Sequence, residues 1–157
     1  MDRLVELHRA LGRAGIGHAF GGALALGHYA TPRATADVDL NVFLAPSEWP
    51  RVREALAALG ADVEAARFDG SDQVRVPWDG AELHLFFSVD ELHEAMAGAT
   101  RTVALDGAAI PLVAPEHLVV RKLLLDREKD HADVAAIRAA TPLDEAEIER
   151  WLEHLST

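Results

Sequence analysis

The chain has 157 residues, no cysteine and a formal net charge of −11 at pH 7, with 50% hydrophobic residues. That length suits a single domain with a real core, and the missing cysteines exclude disulfides and thiolate metal sites. The acidic balance disfavours extended nucleic-acid binding and suits a neutral or cationic acceptor, or a basic protein partner; with no signal-like or membrane-length apolar run, the expected setting is the cytoplasm, with no membrane contact.

Residues 2–14 carry Leu4, Leu7, Leu11 and Ala14 at helical spacing, ended by Gly15 and Gly17. His18-Ala19-Phe20 reads as a short strand running into Gly21-Gly22, then a short helix over 23–29 that Pro32 stops. Residues 37–44 alternate. Val38, Leu40, Val42 and Leu44 share one face; Asp37, Asp39, Asn41 and Phe43 share the other. A helix follows over 47–59, with Ser47 as its N-cap and Gly60 past its end. Strands are expected over 62–68, 72–78 and 81–87, joined by turns at Asp69-Gly70 and Asp79-Gly80. Residues 89–97 read as a helix, and 101–105 and 109–113 as a hairpin around Asp106-Gly107. One long helix over about 115–139 and another over 144–155, after Pro142, complete the chain. No internal repeat or linker is visible. The expected class is α/β (α+β), a mixed sheet packed by helices, with a sheet-containing core over about 1–113 and C-terminal helices over about 114–157.

Two clusters carry chemistry. Gly21-Gly22 ends a strand and opens a helix, where unbonded N–H groups and the helix dipole favour a phosphate. Asp37 and Asp39 lie on one strand face, roughly 6–7 Å apart along the strand. Their carboxylates can converge on a divalent metal, and hard oxygen ligands suit magnesium. An isolated Asp-x-Asp is more often a solvated strand face; the glycine pair upstream changes that weighing. Later, Lys122 sits inside the apolar run 118–125, where a lysine either snorkels or meets a specific anion. Lys122, Asp126, Lys129, Asp130 and Asp133 follow at helical spacing and can line one polar stripe. Trp49, Trp78 and Trp151 read as packing residues, and His28 as packing on its own short helix.

The pattern Gly21-Gly22 followed by Asp37-x-Asp39 resembles the nucleotidyltransferase superfamily, which includes DNA polymerase beta and small antibiotic-modifying transferases. The block from Pro115 through Lys122 and Asp130 to Asp133 is similar to a helix of abortive-infection (AbiEii-like) toxin nucleotidyltransferases. The resemblance implies Mg2+ (or Mn2+), a nucleoside triphosphate substrate, and transfer of a nucleoside monophosphate to an unidentified acceptor with release of pyrophosphate. The acceptor could be a small molecule, tRNA or protein; a toxin role implies an antitoxin partner. Asp37 and Asp39 would hold metal, Gly21 and Gly22 would cradle phosphates, and Lys122 would face the triphosphate. Arg33 could contact phosphate, with Thr35 supporting the turn before the carboxylates. Asp130 and Arg127 match the family pattern and equally suit intrahelical salt bridges. The family's third carboxylate departs here: on the strand 81–87 its place falls to His84, with Glu82 one pleat earlier. Three readings stay open: His84 as general base, Glu82 as the replacement carboxylate, or neither, which leaves a catalytically degenerate fold for nucleotide sensing or partner binding.

Overall fold

A computed structural model describes residues 2–30 and 37–156. The sequence expectations for Arg33 and Thr35 fall on positions outside these described residues. Asp2 caps the first helix, α1 (Arg3–Arg13), by accepting from the Leu4 N–H at 2.8 Å. Strand β1 (His18–Phe20) leads into α2 (Gly22–Tyr29), and β2 (Val38–Val42) carries the alternating segment. Next come α3 (Trp49–Ala58), β3 (Arg67–Asp69), β4 (Gln73–Trp78), β5 (Ala81–Phe87) and α4 (Glu91–Ala97). Then follow β6 (Arg101–Leu105), β7 (Ala108–Leu112), α5 (Pro115–Leu125), α6 (Glu128–Ala140) and α7 (Glu145–Leu155).

The strands form one seven-stranded sheet in the order β3-β4-β5-β2-β1-β7-β6. β2 is central, antiparallel to β1 and parallel to β5. The alternation in β2 sets its two faces. Val38, Leu40 and Val42 join a core with Leu7, Leu11, Val52 and Leu56 of α1 and α3. The other face of the sheet packs against a second core, in which Ala19 and Val113 meet Leu26, Leu92, Val119, Val134 and Ile148 of α2 and α4 to α7. Asp39 and Asn41 therefore point to the side covered by the C-terminal helices. Two hairpins turn on Asp-Gly pairs with positive φ at both residues: 52° and 76° at Asp79-Gly80, 47° and 78° at Asp106-Gly107. That is the twist a two-residue hairpin turn demands. No helix among the described residues is long and apolar enough to cross a membrane.

Three local expectations are corrected. Ser47 is not an N-cap. Pro46 opens a 3-10 turn over Pro46–Glu48, and Glu48 precedes α3, whose first turn holds Pro50. The span 62–68 is not one strand, because the Asp62 side chain accepts from the Ala65 N–H and winds Val63–Ala65 into a 3-10 turn, leaving only Arg67–Asp69 extended. The expected helix over 115–139 is two helices. Asp126 takes a left-handed conformation (φ 56°) that ends α5, and Arg127 precedes α6 with its backbone N–H and its guanidinium both donating to the Asp130 carboxylate.

Candidate active site

The site is built where β1 passes into α2. The Gly21 N–H donates to the Asp39 carbonyl at 3.0 Å, so the chain leaves the sheet directly over the central strand. Gly22 has φ 51°, and a Cβ on it would stand 2.0 Å from Asp39 Oδ2 and 2.8 Å from Asp39 Cβ. Glycine is required on both counts: the left-handed backbone and the space the carboxylate fills. The first intrahelical bond runs from the Ala25 N–H to the Gly21 carbonyl, so the N–H groups of Gly22, Ala23 and Leu24 precede the ladder at the positive end of α2. Asp39 sits at that helix terminus.

Asp37, exposed, lies two residues before Asp39 on the same face, and accepts from the Glu82 backbone N–H at 3.1 Å. The parallel register pairs Asp39 with His84, so the structure brings both candidates for the third position beside the carboxylates. His84 Nδ1 is 3.7 Å from Asp39 Oδ1, and its Nε2 is 2.9 Å from Gln73 Oε1 on β4. With Gln73 accepting, Nε2 holds the proton and the Nδ1 lone pair turns toward Asp39. Glu82 is differently placed. Its carboxylate pairs with Arg67 of β3, and lies 3.9 Å from Arg75 of β4. The two guanidiniums therefore occupy it.

Burial pushes the Asp39 carboxyl above its ordinary range, against the opposing pull of Arg75 and Lys122. Desolvation, reinforced by Arg75, lowers the His84 imidazole to about 4. The folded chain thus holds His84 neutral at pH values where the unfolded chain titrates it normally. As pH falls through 6.5 the unfolded state takes the proton first; stability drops down to about pH 4 and then levels. The full shift corresponds to about 3 kcal/mol, which solvent contact reduces to about 1–2 kcal/mol. His84→Gln is expected to lose that much less stability than wild type between pH 7 and 4, read from urea unfolding at both pH values. Identical losses in the two proteins would contradict it.

Lys122 is buried. Its Nζ donates to Asp133 Oδ2 at 2.8 Å and lies 3.8 Å from Asp130 Oδ1, both on α6. Asp130 is itself buried and held by Arg127 Nε at 2.6 Å. The expected polar stripe on one helix is therefore replaced by a bridge across the α5–α6 elbow. A small cavity of about 130 Å³ lies against this bridge, and Gly21, Gly22, Asp39, Lys122 and Arg127 line it. Asn41 and Arg121 line it too, and neither was singled out from sequence. Asn41 shares the face of Asp37 and Asp39, which is the signal that could have found it. Arg121 stands 5.8 Å over the Phe86 ring; its neighbourhood to Lys122 gave no facing. Among the described residues, no three His, Asp or Glu side chains are grouped to hold a metal by themselves. The tryptophans pack as expected: Trp49 meets Phe68 and Phe87 edge-on, and Trp151 meets His117. His28 stacks edge-on with its neighbour Tyr29.

No protein-family model and no curated protein matches the sequence. Solved structures do. ANT(2'')-Ia in complex with adenylyl-2''-tobramycin aligns over 98% of this chain and 97% of its own, at 12% identity and TM-score 0.70. The lincosamide antibiotic adenylyltransferase LnuA, lincomycin-bound, covers 88% of this chain and 96% of its own, at 12% identity and TM-score 0.59. An antigenic nucleotidyltransferase-like protein from Paracoccidioides brasiliensis covers 97% and 84%, at 18% identity and TM-score 0.56. With its mixed seven-stranded sheet and flanking helices, this chain has the nucleotidyltransferase fold.

Proposed function

We propose that this protein is a metal-dependent nucleotidyltransferase that moves a nucleoside monophosphate from a triphosphate to an acceptor hydroxyl and releases pyrophosphate. The observation that carries this reading is the notch at Gly22, which admits the Asp39 carboxylate to the N-terminus of α2, with Asp37 on the same strand face. The two carboxylates offer the hard oxygen donors that magnesium or manganese takes alongside substrate phosphates and water. Asp37 and Asp39 would hold the metal, which when bound neutralises phosphoryl charge and lowers the pKa of the attacking oxygen.

The residues divide the remaining work. The N–H groups of the first turn of α2, at Gly22 and Ala23, bind phosphate oxygens, with Gly21 setting their approach. Arg121, Lys122 and Arg127 gather positive charge at the same cavity in an otherwise acidic chain. Lys122 has three donors; one is bonded to Asp133, with Asp130 3.8 Å away, which leaves donors for a phosphate. Asp130 positions Lys122 and Arg127 rather than meeting substrate. The acceptor oxygen attacks the α-phosphorus, the bond to the bridging oxygen breaks, and pyrophosphate leaves with the electron pair. His84 Nδ1 is the group beside Asp39 that can accept the acceptor's proton, while Glu82 is occupied by Arg67 and Arg75.

A small-molecule acceptor is favoured over tRNA by the net charge of −11, and by two similar proteins, one solved with a tobramycin adduct and one with lincomycin. A toxin with an antitoxin partner would instead arrest growth on expression, relieved by Asp39→Asn. The second reading is a nucleotide-sensing or partner-binding module that has lost catalysis; the imidazole at the third position, made a weak base by burial that lowers its pKa to about 4, favours it.

The test is a melting panel of the four ribonucleoside triphosphates with and without magnesium, on wild type and on Asp37→Asn/Asp39→Asn. A triphosphate at 100 times its Kd adds about 2.7 kcal/mol, a rise of roughly 5–10 °C for a chain of this size. A magnesium-dependent rise confined to wild type is expected. No rise with any triphosphate sinks the transferase reading; a rise with no pyrophosphate release across acceptors supports the binding module.

A further inference from the structure

Asp39 lines a second cavity besides the cationic one. It measures about 400 Å³ and is bounded by aliphatic side chains, among them Leu4 of α1, Leu24 of α2, Val103 of β6 and Ile110 of β7. Asp37 and Asp39 form part of its wall. The volume lies within the range of small-molecule sites, roughly 300–1,000 Å³. We infer that this cavity seats the acceptor, and that the acceptor is a molecule with an apolar body and a free hydroxyl. The inference rests on the transferase reading above and names its substrate class.

Charge sorts the two cavities. Arg121, Lys122 and Arg127 line the smaller one, which suits a triphosphate. Among the described residues the larger has Arg3 and His28 as its basic groups, and the Arg3 guanidinium is turned over the Trp78 ring at 5.6 Å and lies 3.9 Å from Asp79. The start of α2 divides the same way: the capping Gly21 and Gly22 line the smaller cavity, Ala23 and Leu24 the larger. A ligand held between Leu24 and Val103 meets polar groups chiefly at the Asp37–Asp39 wall, so its hydroxyl is best hydrogen-bonded there, next to the triphosphate. A polycationic acceptor needs several carboxylates; among the described residues this cavity supplies the two that the metal requires.

The experiment is amide NMR mapping on the whole chain with 2-naphthol, a neutral apolar alcohol, and with tobramycin, a polycation, each alone and with ATP and magnesium. 2-Naphthol is expected to shift the amides of Leu24, Val103 and Leu105 saturably, and tobramycin to leave them unmoved. Val103→Phe, on an edge strand, should weaken 2-naphthol at least tenfold while ATP–magnesium affinity stays within twofold. Shifts scattered elsewhere, unchanged 2-naphthol affinity in the variant, or tobramycin binding at these amides would overturn the inference. So would loss of ATP affinity in Val103→Phe, which would give the cavity to the nucleoside. Absence of ATP–magnesium binding to wild type would instead defeat the transferase reading on which the inference stands, a separate result.

Discussion

Asp39→Asn is expected to abolish magnesium-dependent triphosphate binding while leaving the protein as stable as wild type or slightly more so. The two effects share a cause. Burial beside the helix terminus holds the Asp39 carboxyl above its ordinary pKa, so the folded state carries its charge at a penalty near neutral pH. Asparagine has nearly the same shape and no charge. It removes that penalty and should move Tm by zero to a few degrees upward. It also removes one of the two carboxylates, Asp37 and Asp39, that would hold the metal, and transfer should fall by about a hundredfold to a thousandfold, the scale of losing a principal electrostatic group from a site. Calorimetry of the free protein and a pyrophosphate-release assay read the two halves. Retained transfer would mean that Asp39 does not hold the metal, and a large drop in Tm would mean that it is chiefly structural.

Gly22→Ala carries the largest stability effect expected of a single methyl group here. The left-handed backbone at φ 51° costs an L-residue about 1 kcal/mol. The added Cβ would sit 2.0 Å from Asp39 Oδ2, 2.6 Å from its Cγ and 2.8 Å from its Cβ. A rotamer change frees the oxygen but not the Cβ, so α2 or β2 must shift, adding about 1–3 kcal/mol. The sum, about 2–4 kcal/mol, corresponds to a Tm drop of roughly 5–15 °C. Triphosphate binding should fail even where the variant folds, because the carboxylate is displaced from the helix terminus. Gly21→Ala is the internal comparison. Its Cβ would meet Asn41 Nδ2 at 3.2 Å, at a negative φ of −119°, so a side-chain adjustment accommodates it. Equal destabilisation by the two substitutions would show that the Gly22 notch is not the cause.

Local chemistry made much of the fold legible in advance. Period-2 alternation placed Val38, Leu40 and Val42 in the core, with Asp39 on the opposite face, because a strand's pleat is a property of the strand alone. The Asp79-Gly80 and Asp106-Gly107 turns followed from the positive φ these pairs tolerate. The glycine pair and the carboxylates lie within 20 residues of one another in sequence, so their proximity required only a short strand and a helix. What the sequence hid depends on residues far apart in the chain. The long C-terminal helix breaks at Asp126 because the Asp130 carboxylate, by accepting from the Arg127 backbone N–H and guanidinium, starts a new helix in competition with helix continuation, and helical spacing does not show which wins. Lys122 is countered by Asp133 and Asp130 only once α6 folds back on α5. The β3–β4–β5 register commits Glu82 to Arg67 and Arg75, while the β2–β5 register sets His84 against Asp39. Sequence alone determined which residues carry charge and which strand face the carboxylates share; tertiary pairing decided which of them are occupied by one another and which face the two cavities, because ion pairs and cavities form between elements, and no local periodicity encodes them.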